Sequence, residues 1–224
     1  VMLMPIYTPY KKSVATVAFT HSASLEPNAT NFSFSSVDIG TASSDRKVVV
    51  AGMVSGGGTG TISGCTLDGS AMTENVKPAI DGEGQCAIFE IEVSSGTSAT
   101  VVLQNTGSKG WGAIAVFALT GAALTATNTT STTGDTTPNS TITIPAGGVA
   151  VGCTTAVFSS GSGTKSATWS GLTERFDSSV DSNGSCATAC SDAFASTETN
   201  RAISCTLNTT PAQATMALCS WGPA

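Results

Sequence analysis

The sequence predicts an all-β protein: an antiparallel β-sandwich, jelly-roll-like, built from two similar halves and preceded by an extended N-terminal arm. Three observations favour this fold class. Charged residues make up only 11% of the 224 residues, and good helix formers are scarce. Short apolar runs are separated by Gly-, Ser- and Asn-rich turn signals at the spacing of a sandwich. Segments of the first half recur in order about 100 residues later.

The apolar runs place the strands in chain order. In the first half we expect strands near residues 33–39, 48–54, 60–66, 86–93, 99–104 and 113–120. In the second half we expect them near residues 141–144, 148–158, 166–174, 186–195, 202–207 and 214–221.

The internal repeat rests on four matches that follow one another in the same order. They align Gly52 with Gly152, Glu74 with Glu174, Cys86 with Cys186, and residues 113–121 with 214–222. The repeat sets the predicted boundaries: an arm over residues 1–30, halves over 31–121 and 141–224, and a Thr-rich connection over 122–140.

Several strands are apolar on both faces, which a sandwich with water on its outer faces does not need. In "AIAVFALT" the side chains of Ile114 and Val116 point one way and those of Phe117 and Leu119 the other. We therefore expect a cover on the outer face: the other half, the arm, or another subunit. Neither half covers its own apolar faces, which favours one continuous domain over residues 31–224.

The charge pattern bears on partners. The formal net charge is −6, and the only basic pairs are Lys11-Lys12 and Arg46-Lys47. A nucleic-acid groove needs clustered basic residues, so no nucleic-acid partner is predicted. No apolar run is long enough to span a bilayer, and the N-terminus lacks the charge order of a secretory signal.

The stretch "KVVVAGMVSGGGTGTISG", residues 47–64, combines an apolar strand with a glycine-rich loop, as nucleotide-binding domains do. A dinucleotide site needs a third glycine at position 63 and a helix after the loop. Ser63 stands there, and a strand-like segment follows. We interpret the loop as a corner between two strands, and no cofactor is predicted.

Other reactive side chains have simpler interpretations. The single histidine, His21, is interpreted as an incidental polar residue, and Glu74 and Glu174 as a structural pair related by the repeat. The segment 181–192 starts like a calcium loop, but Cys186 occupies the glycine position, so a hairpin turn is predicted. No catalytic residue and no metal site are predicted.

The seven cysteines are interpreted mainly as buried free thiols, because most lie in apolar strand-like runs. Disulfides remain the alternative, with Cys186 and Cys190 or Cys65 and Cys86 as members. Trp111, Trp169 and Trp221 are candidate ligand or interface aromatics, with core packing or an interface as the default. Candidate assembly contacts lie in the arm: Tyr7, Tyr10, Lys11 and Lys12.

Four stretches resemble accessory virion proteins of tailed bacteriophages and related prophage elements: "FSSVDIGTASSDRKVVVAGMVSG", "WGAIAVFALTG", "ITIPAGGVAVG" and "ATWSGLTERFD". The resemblance covers about residues 33–224 and marks strands and turns. It implies a structural protein of the particle: capsid decoration, a head spike or fibre, or a tail appendage. No catalytic residues come with it.

The sequence thus leads to a first hypothesis of a non-enzymatic virion protein that forms homo-oligomers and attaches to capsid or tail proteins. Such a protein is assembled in the host cytoplasm and released by lysis. The alternative is a carbohydrate-binding or adhesive β-sandwich that recognises a host-surface glycan. A third hypothesis is a secreted hydrolase that depends on Glu74 or Glu174.

Overall fold

The computed structural model describes residues 14–26, 28–58, 60–134, 136–159, 164–180 and 184–224. Those ranges contain seventeen β-strands and no helix, which confirms the all-β prediction. The strands of the first half are β1 (Thr16–Leu25), β2 (Ala29–Asp38), β3 (Lys47–Ser55), β4 (Ile62–Leu67), β5 (Ser70–Ala71), β6 (Thr73–Val76), β7 (Gln85–Glu92), β8 (Ser98–Lys109) and β9 (Trp111–Thr120).

The strands of the second half are β10 (Asn128–Thr133), β11 (Asn139–Ile144), β12 (Val149–Val157), β13 (Ala167–Ser170), β14 (Glu174–Val180), β15 (Ser185–Ala193), β16 (Glu198–Leu207) and β17 (Gln213–Trp221). Across these described residues, nothing helical is long and apolar enough to cross a membrane.

Each half is an antiparallel β-sandwich with one inner and one outer sheet. In the first sandwich the inner sheet has the order β1-β9-β3-β7-β6 and the outer sheet β2-β8-β4-β5. In the second, the inner sheet has the order β10-β17-β12-β15-β14 and the outer sheet β11-β16-β13. Both inner sheets take their strands in the same relative chain order, so the repeat seen in the sequence is a repeat of topology.

The two inner sheets pack face to face, which gives the molecule four layers. One apolar cluster fills the first sandwich around Phe32, Val50 and Leu103, and another fills the second around Ile144, Trp169 and Met216. A third cluster, here called the shared core, lies between the inner sheets and draws side chains from both halves. The two-faced apolar strands are explained: the other half covers them.

The shared core is thin between β3 and β12, where several small side chains contribute to it. Ala51, Ala115 and Cys86 of the first inner sheet face Cys153 and Ala187 of the second. Cα atoms of β3 and β12 approach within 8 Å, whereas stacked sheets usually lie about 10 Å apart. Ala and Cys at these positions thus permit a close approach that Leu or Phe in the same places would prevent.

An approximate two-fold relation joins the halves. The central strands β3 and β12 lie against each other, edge strand β1 lies against β14 and β15, and edge strand β10 lies against β6. A simple translation of one sandwich onto the other would have placed β1 over β10. The shared core therefore has the form of an isologous dimer interface within one chain.

Two predicted boundaries are corrected. Residues 16–25, assigned to an extended arm over 1–30, form edge strand β1, whose register with β9 joins Thr16 to Thr120 and Leu25 to Gly112. The connection predicted over 122–140 contains all of β10, which pairs with β17. Both segments were misjudged because an edge strand needs only one hydrogen-bonded neighbour and carries few large apolar side chains.

The sequence matches within the repeat differ in quality. Gly52 and Gly152 both face the interior of their own sandwich, where an added Cβ would lie 2.7 Å from Leu103 and 2.5 Å from Leu218 respectively. Cys86 faces the shared core, whereas Cys186 faces the interior of the second sandwich. The cysteine match is therefore wrong in register, because the two residues lie on opposite faces of their strands.

Candidate functional site

The three tryptophans lie in the core. Trp111 and Trp221 are in the shared core, and Trp169 is inside the second sandwich, where its Nε1 donates to Thr188 Oγ1 at 2.7 Å. All three are at most 8% exposed. Of the two default interpretations, core packing is the correct one, and these side chains form no stacking platform on the surface. Tyr7, Tyr10, Lys11 and Lys12 lie outside the described residues.

The two glutamates considered as a catalytic pair and the single histidine lie on three different strands. His21 is half-buried on β1, opposite Val116. Glu74 is on β6 and forms an ion pair with Lys77 at 2.8 Å. Glu174 is on β14, where burial and the charge of Asp177 raise its pKa. The two glutamates thus lie on separate edge strands, one in each inner sheet, and have different neighbours.

All seven cysteines are free and buried, which confirms the interpretation as buried thiols. Cys65 faces the first sandwich interior and Cys86 the shared core, so this pair is separated by a sheet. Cys186 and Cys190 face the same interior from one strand, and burial raises the pKa of both thiols. In the described ranges, no three His, Cys, Asp or Glu side chains form a metal-binding group.

The glycine-rich loop after β3 turns the corner into the outer sheet. Gly56, Gly57 and Gly58 have φ values of +70°, +76° and +110°, which favour glycine. The ammonium of Lys109, which is fully buried, donates to Gly58 O at 2.7 Å and to Glu83 O at 2.9 Å. Burial lowers the pKa of Lys109. Lys109 thus ties the glycine-rich loop, through Gly58 O, to the turn before β7, through Glu83 O.

Arg46 has the same kind of role at the other end of β3. Its buried guanidinium donates to the backbone oxygens of Val93, Gly40, Gly96 and Ser95 at 2.6–2.8 Å. Burial lowers its pKa. The side chain ties the loop before β3 to the turn between β7 and β8.

A buried polar network joins the two halves. The indole Nε1 of Trp221 donates to Glu90 Oε2 at 2.6 Å, and the Lys47 ammonium lies 3.1 Å from the same oxygen. Lys47 also donates to the backbone oxygens of Ala123 and Leu124. The side chains of Lys47 and Glu90 are only 3% and 6% exposed. The network connects β17, β7, β3 and the chain segment that links the halves.

A small cleft lies on the solvent side of this network. It has a volume of about 340 Å³ and is lined by Lys47, Thr73, Glu90, Ile91, Glu92 and Leu124. The Lys47 ammonium already has three acceptors, namely Glu90 and the two backbone oxygens. Lys47 thus holds the chain segment after β9, and the charges of Lys47 and Glu90 are paired with each other.

Sequence reasoning missed five buried charged residues in the described ranges: Arg46, Lys47, Glu90, Lys109 and Lys165, whose ammonium lies 4.9 Å from the ring centre of Phe158. One signal was available: in a chain with so few charges, Arg46 and Lys47 begin a strand that is apolar on both faces. No family model matches this chain, and no curated protein matches it.

Proposed function

We propose that the chain is a non-enzymatic structural protein of a bacteriophage virion. It forms homo-oligomers and attaches either to the capsid, as decoration or spike, or to the tail. The observation that carries the proposal is the shared core: two sandwiches are fused through a thin apolar layer. The buried charges of Arg46, Lys47, Glu90 and Lys109 bind backbone oxygens or each other. Such groups stabilise a scaffold.

The strand order supports a finer proposal for each sandwich. When the two-residue strand β5 at the edge of the outer sheet is left out and the other eight strands of the first sandwich are lettered a to h in chain order, the inner sheet reads a-h-c-f-e and the outer sheet b-g-d. The second sandwich has the same two orders. Two Greek keys wound together give this arrangement, so we propose that each sandwich is a jelly roll, a fold common in capsid proteins.

One end of the molecule offers a candidate attachment surface. Val14 and Leu124 are the large apolar side chains with high exposure among the described residues, at 63% and 73%. The backbone of Val14 lies against Gly121, and Leu124 follows three residues later along the chain. The same end holds Ala224, whose amide donates to Gly121 O at 2.8 Å. We propose that a capsid or tail protein contacts this end.

The carbohydrate-binding alternative depended on an exposed row of aromatic side chains. Trp111, Trp169 and Trp221 are buried, so this alternative has lost its main support and becomes an outcome of the test.

Sedimentation of the native source lysate tests the proposal. The protein is followed across a density gradient by mass spectrometry, beside the major capsid protein. We expect it to travel with particles at a fixed ratio to that protein. A protein that stays near the top of the gradient would overturn the virion assignment, and glycan-binding screens would then decide the alternative.

A pair of variants tests the attachment surface. Leu124→Lys places a charge on the exposed apolar side chain and should reduce the amount of protein on particles. Thr141→Lys places the same charge on the exposed face of β11 and serves as the control. Equal incorporation of both variants would contradict attachment through Leu124 while leaving the virion assignment intact.

A further inference from the structure

The shared core contains two thiols that face each other from different halves. Cys86 is on β7 and Cys153 on β12, and both have no exposed surface. Cys86 Sγ lies 3.7 Å from the carbonyl oxygen of Cys153, and Cys153 Sγ lies 4.0 Å from the carbonyl oxygen of Ala87. Each sulfur thus contacts the backbone at or beside the other cysteine.

The thinness of the shared core brings the strands that carry this pair close together. Disulfides require Cα atoms about 4.4–6.8 Å apart. Sheets at the usual spacing of about 10 Å hold facing Cα atoms too far apart for this unless the backbone moves. Here Cα atoms of β7 and β12 approach within 8 Å.

We propose that Cys86 and Cys153 are a modification site: a thiol pair that forms a disulfide between the two sandwiches when the chain folds in the presence of a small-molecule disulfide. One thiolate attacks the small disulfide, forming a mixed disulfide and releasing one thiol. The second thiolate then attacks the protein sulfur of that mixed disulfide and releases the second thiol. Both cysteines lose their protons, and the small disulfide is reduced by two electrons.

The folded protein resists this reaction. The thiolate is the reactive form, and burial together with the neighbouring thiol raises the pKa of Cys153 well above its usual value. The shared core also excludes the oxidant. The disulfide therefore forms before the inner sheets meet, or when they separate, and its presence records the conditions under which the chain folded.

The test compares two treatments of the full-length chain with oxidised glutathione. In one, reduced and denatured protein refolds in a mixture of oxidised and reduced glutathione; in the other, folded reduced protein meets the same mixture. After alkylation of free thiols, peptide mapping identifies cross-linked peptides. We expect a Cys86–Cys153 cross-link in the refolded sample and at least tenfold less in the folded one. The cross-linked form should unfold at higher denaturant concentration.

Two variants make the result specific. Cys153→Ala should abolish the cross-link, whereas Cys65→Ala, which alters a thiol inside the first sandwich, should leave it unchanged. A refolded wild-type sample without the Cys86–Cys153 peptide, or with a different pair as the main product, would overturn the proposal. Equal cross-linking of the folded sample would overturn the claim that the closed core protects the pair.

Discussion

Trp221 donates its indole hydrogen to Glu90 at 2.6 Å, across 131 residues of sequence. The bond joins the last strand of the second sandwich to the first sandwich. The same oxygen of Glu90 also accepts a hydrogen bond from Lys47, which in turn binds Ala123 O. A single carboxylate oxygen thus connects both inner sheets and, through Lys47, the chain segment that links the halves. The packing of the halves is thus fixed by a directional contact as well as by apolar burial.

Replacement of Trp221 tests that contact. Trp221→Phe removes the hydrogen bond to Glu90, whereas Trp111→Phe is a matched control in the same core, since Trp111 Nε1 has no hydrogen-bond partner among the described residues. Both variants lose indole volume. We expect Trp221→Phe to lower the free energy of unfolding by about 1.5–3 kcal/mol more than Trp111→Phe, because the lost bond is to a charged group. Chemical denaturation measures the difference, and equal losses would contradict the role of the bond.

The ion pair between Lys47 and Glu90 predicts a non-additive double variant. Lys47→Met leaves the Glu90 carboxylate buried without its cation, which should cost about 3–5 kcal/mol of stability. Adding Glu90→Gln removes the unpaired charge and keeps an acceptor for Trp221. We expect the double variant to be more stable than Lys47→Met alone in urea denaturation. A double variant that is less stable than Lys47→Met would show that the charge of Glu90 is not the cause.

Tight packing on β9 predicts a strong effect of one methyl group. A Cβ added at Gly112 would lie 2.5 Å from Cδ2 of Phe32, which is buried in the first sandwich. Gly112→Ala should therefore cost about 1–3 kcal/mol, as overpacking does. At Gly64 the added Cβ meets only Gln104 Oε1, the far end of a flexible side chain. Gly64→Ala should be neutral or slightly stabilising, and thermal unfolding of both variants checks the contrast.

Glu174 predicts a pH dependence. Burial and the charge of Asp177 raise its pKa above the usual 4.5, so the folded chain holds this proton more tightly than the unfolded chain. Stability should fall as pH rises from about 4.5 through the folded-state pKa, because the carboxylate becomes charged where charge is disfavoured. Glu174→Gln should lose this part of the decline.

The measurement is the urea midpoint of wild type and Glu174→Gln at pH 4 and pH 7. The variant should gain relative to wild type on moving to pH 7. Asp177→Asn removes the neighbouring charge, so its urea midpoint should also gain relative to wild type on moving from pH 4 to pH 7. A constant difference between Glu174→Gln and wild type at both pH values would contradict the prediction.

The strands that sequence predicted well are those with large apolar side chains, such as β3, β9 and β17. Their two-faced pattern also showed that a second cover was needed. β10, with the sequence "NTTSTT", was missed because threonine serves both exposed loops and edge strands. β1 was missed because its side chains are mostly half-buried and no strong alternation marks it.

The buried network could not be derived from sequence in the same way. The sequence alone does not show that Lys47 and Glu90 lie close together. The register of β3 and β7 shows it, because it pairs Lys47 with Glu92 and Val49 with Glu90 and so makes Lys47 and Glu90 diagonal neighbours. Trp221 joins them only because the second half folds back against the first. Contacts of this kind depend on the docking of two complete sheets, and local patterns carry no information about it.

The thin shared core has a consequence for how the sequence can diverge. A larger side chain on one inner sheet finds no room unless the facing position becomes smaller. Substitutions at Ala51, Ala115 and Ala187 and at their facing neighbours should therefore occur in compensating pairs across evolutionary time, with summed volume conserved. The outer sheets carry no such constraint, so the two ends of the molecule are free to acquire different surfaces while the middle keeps a common size.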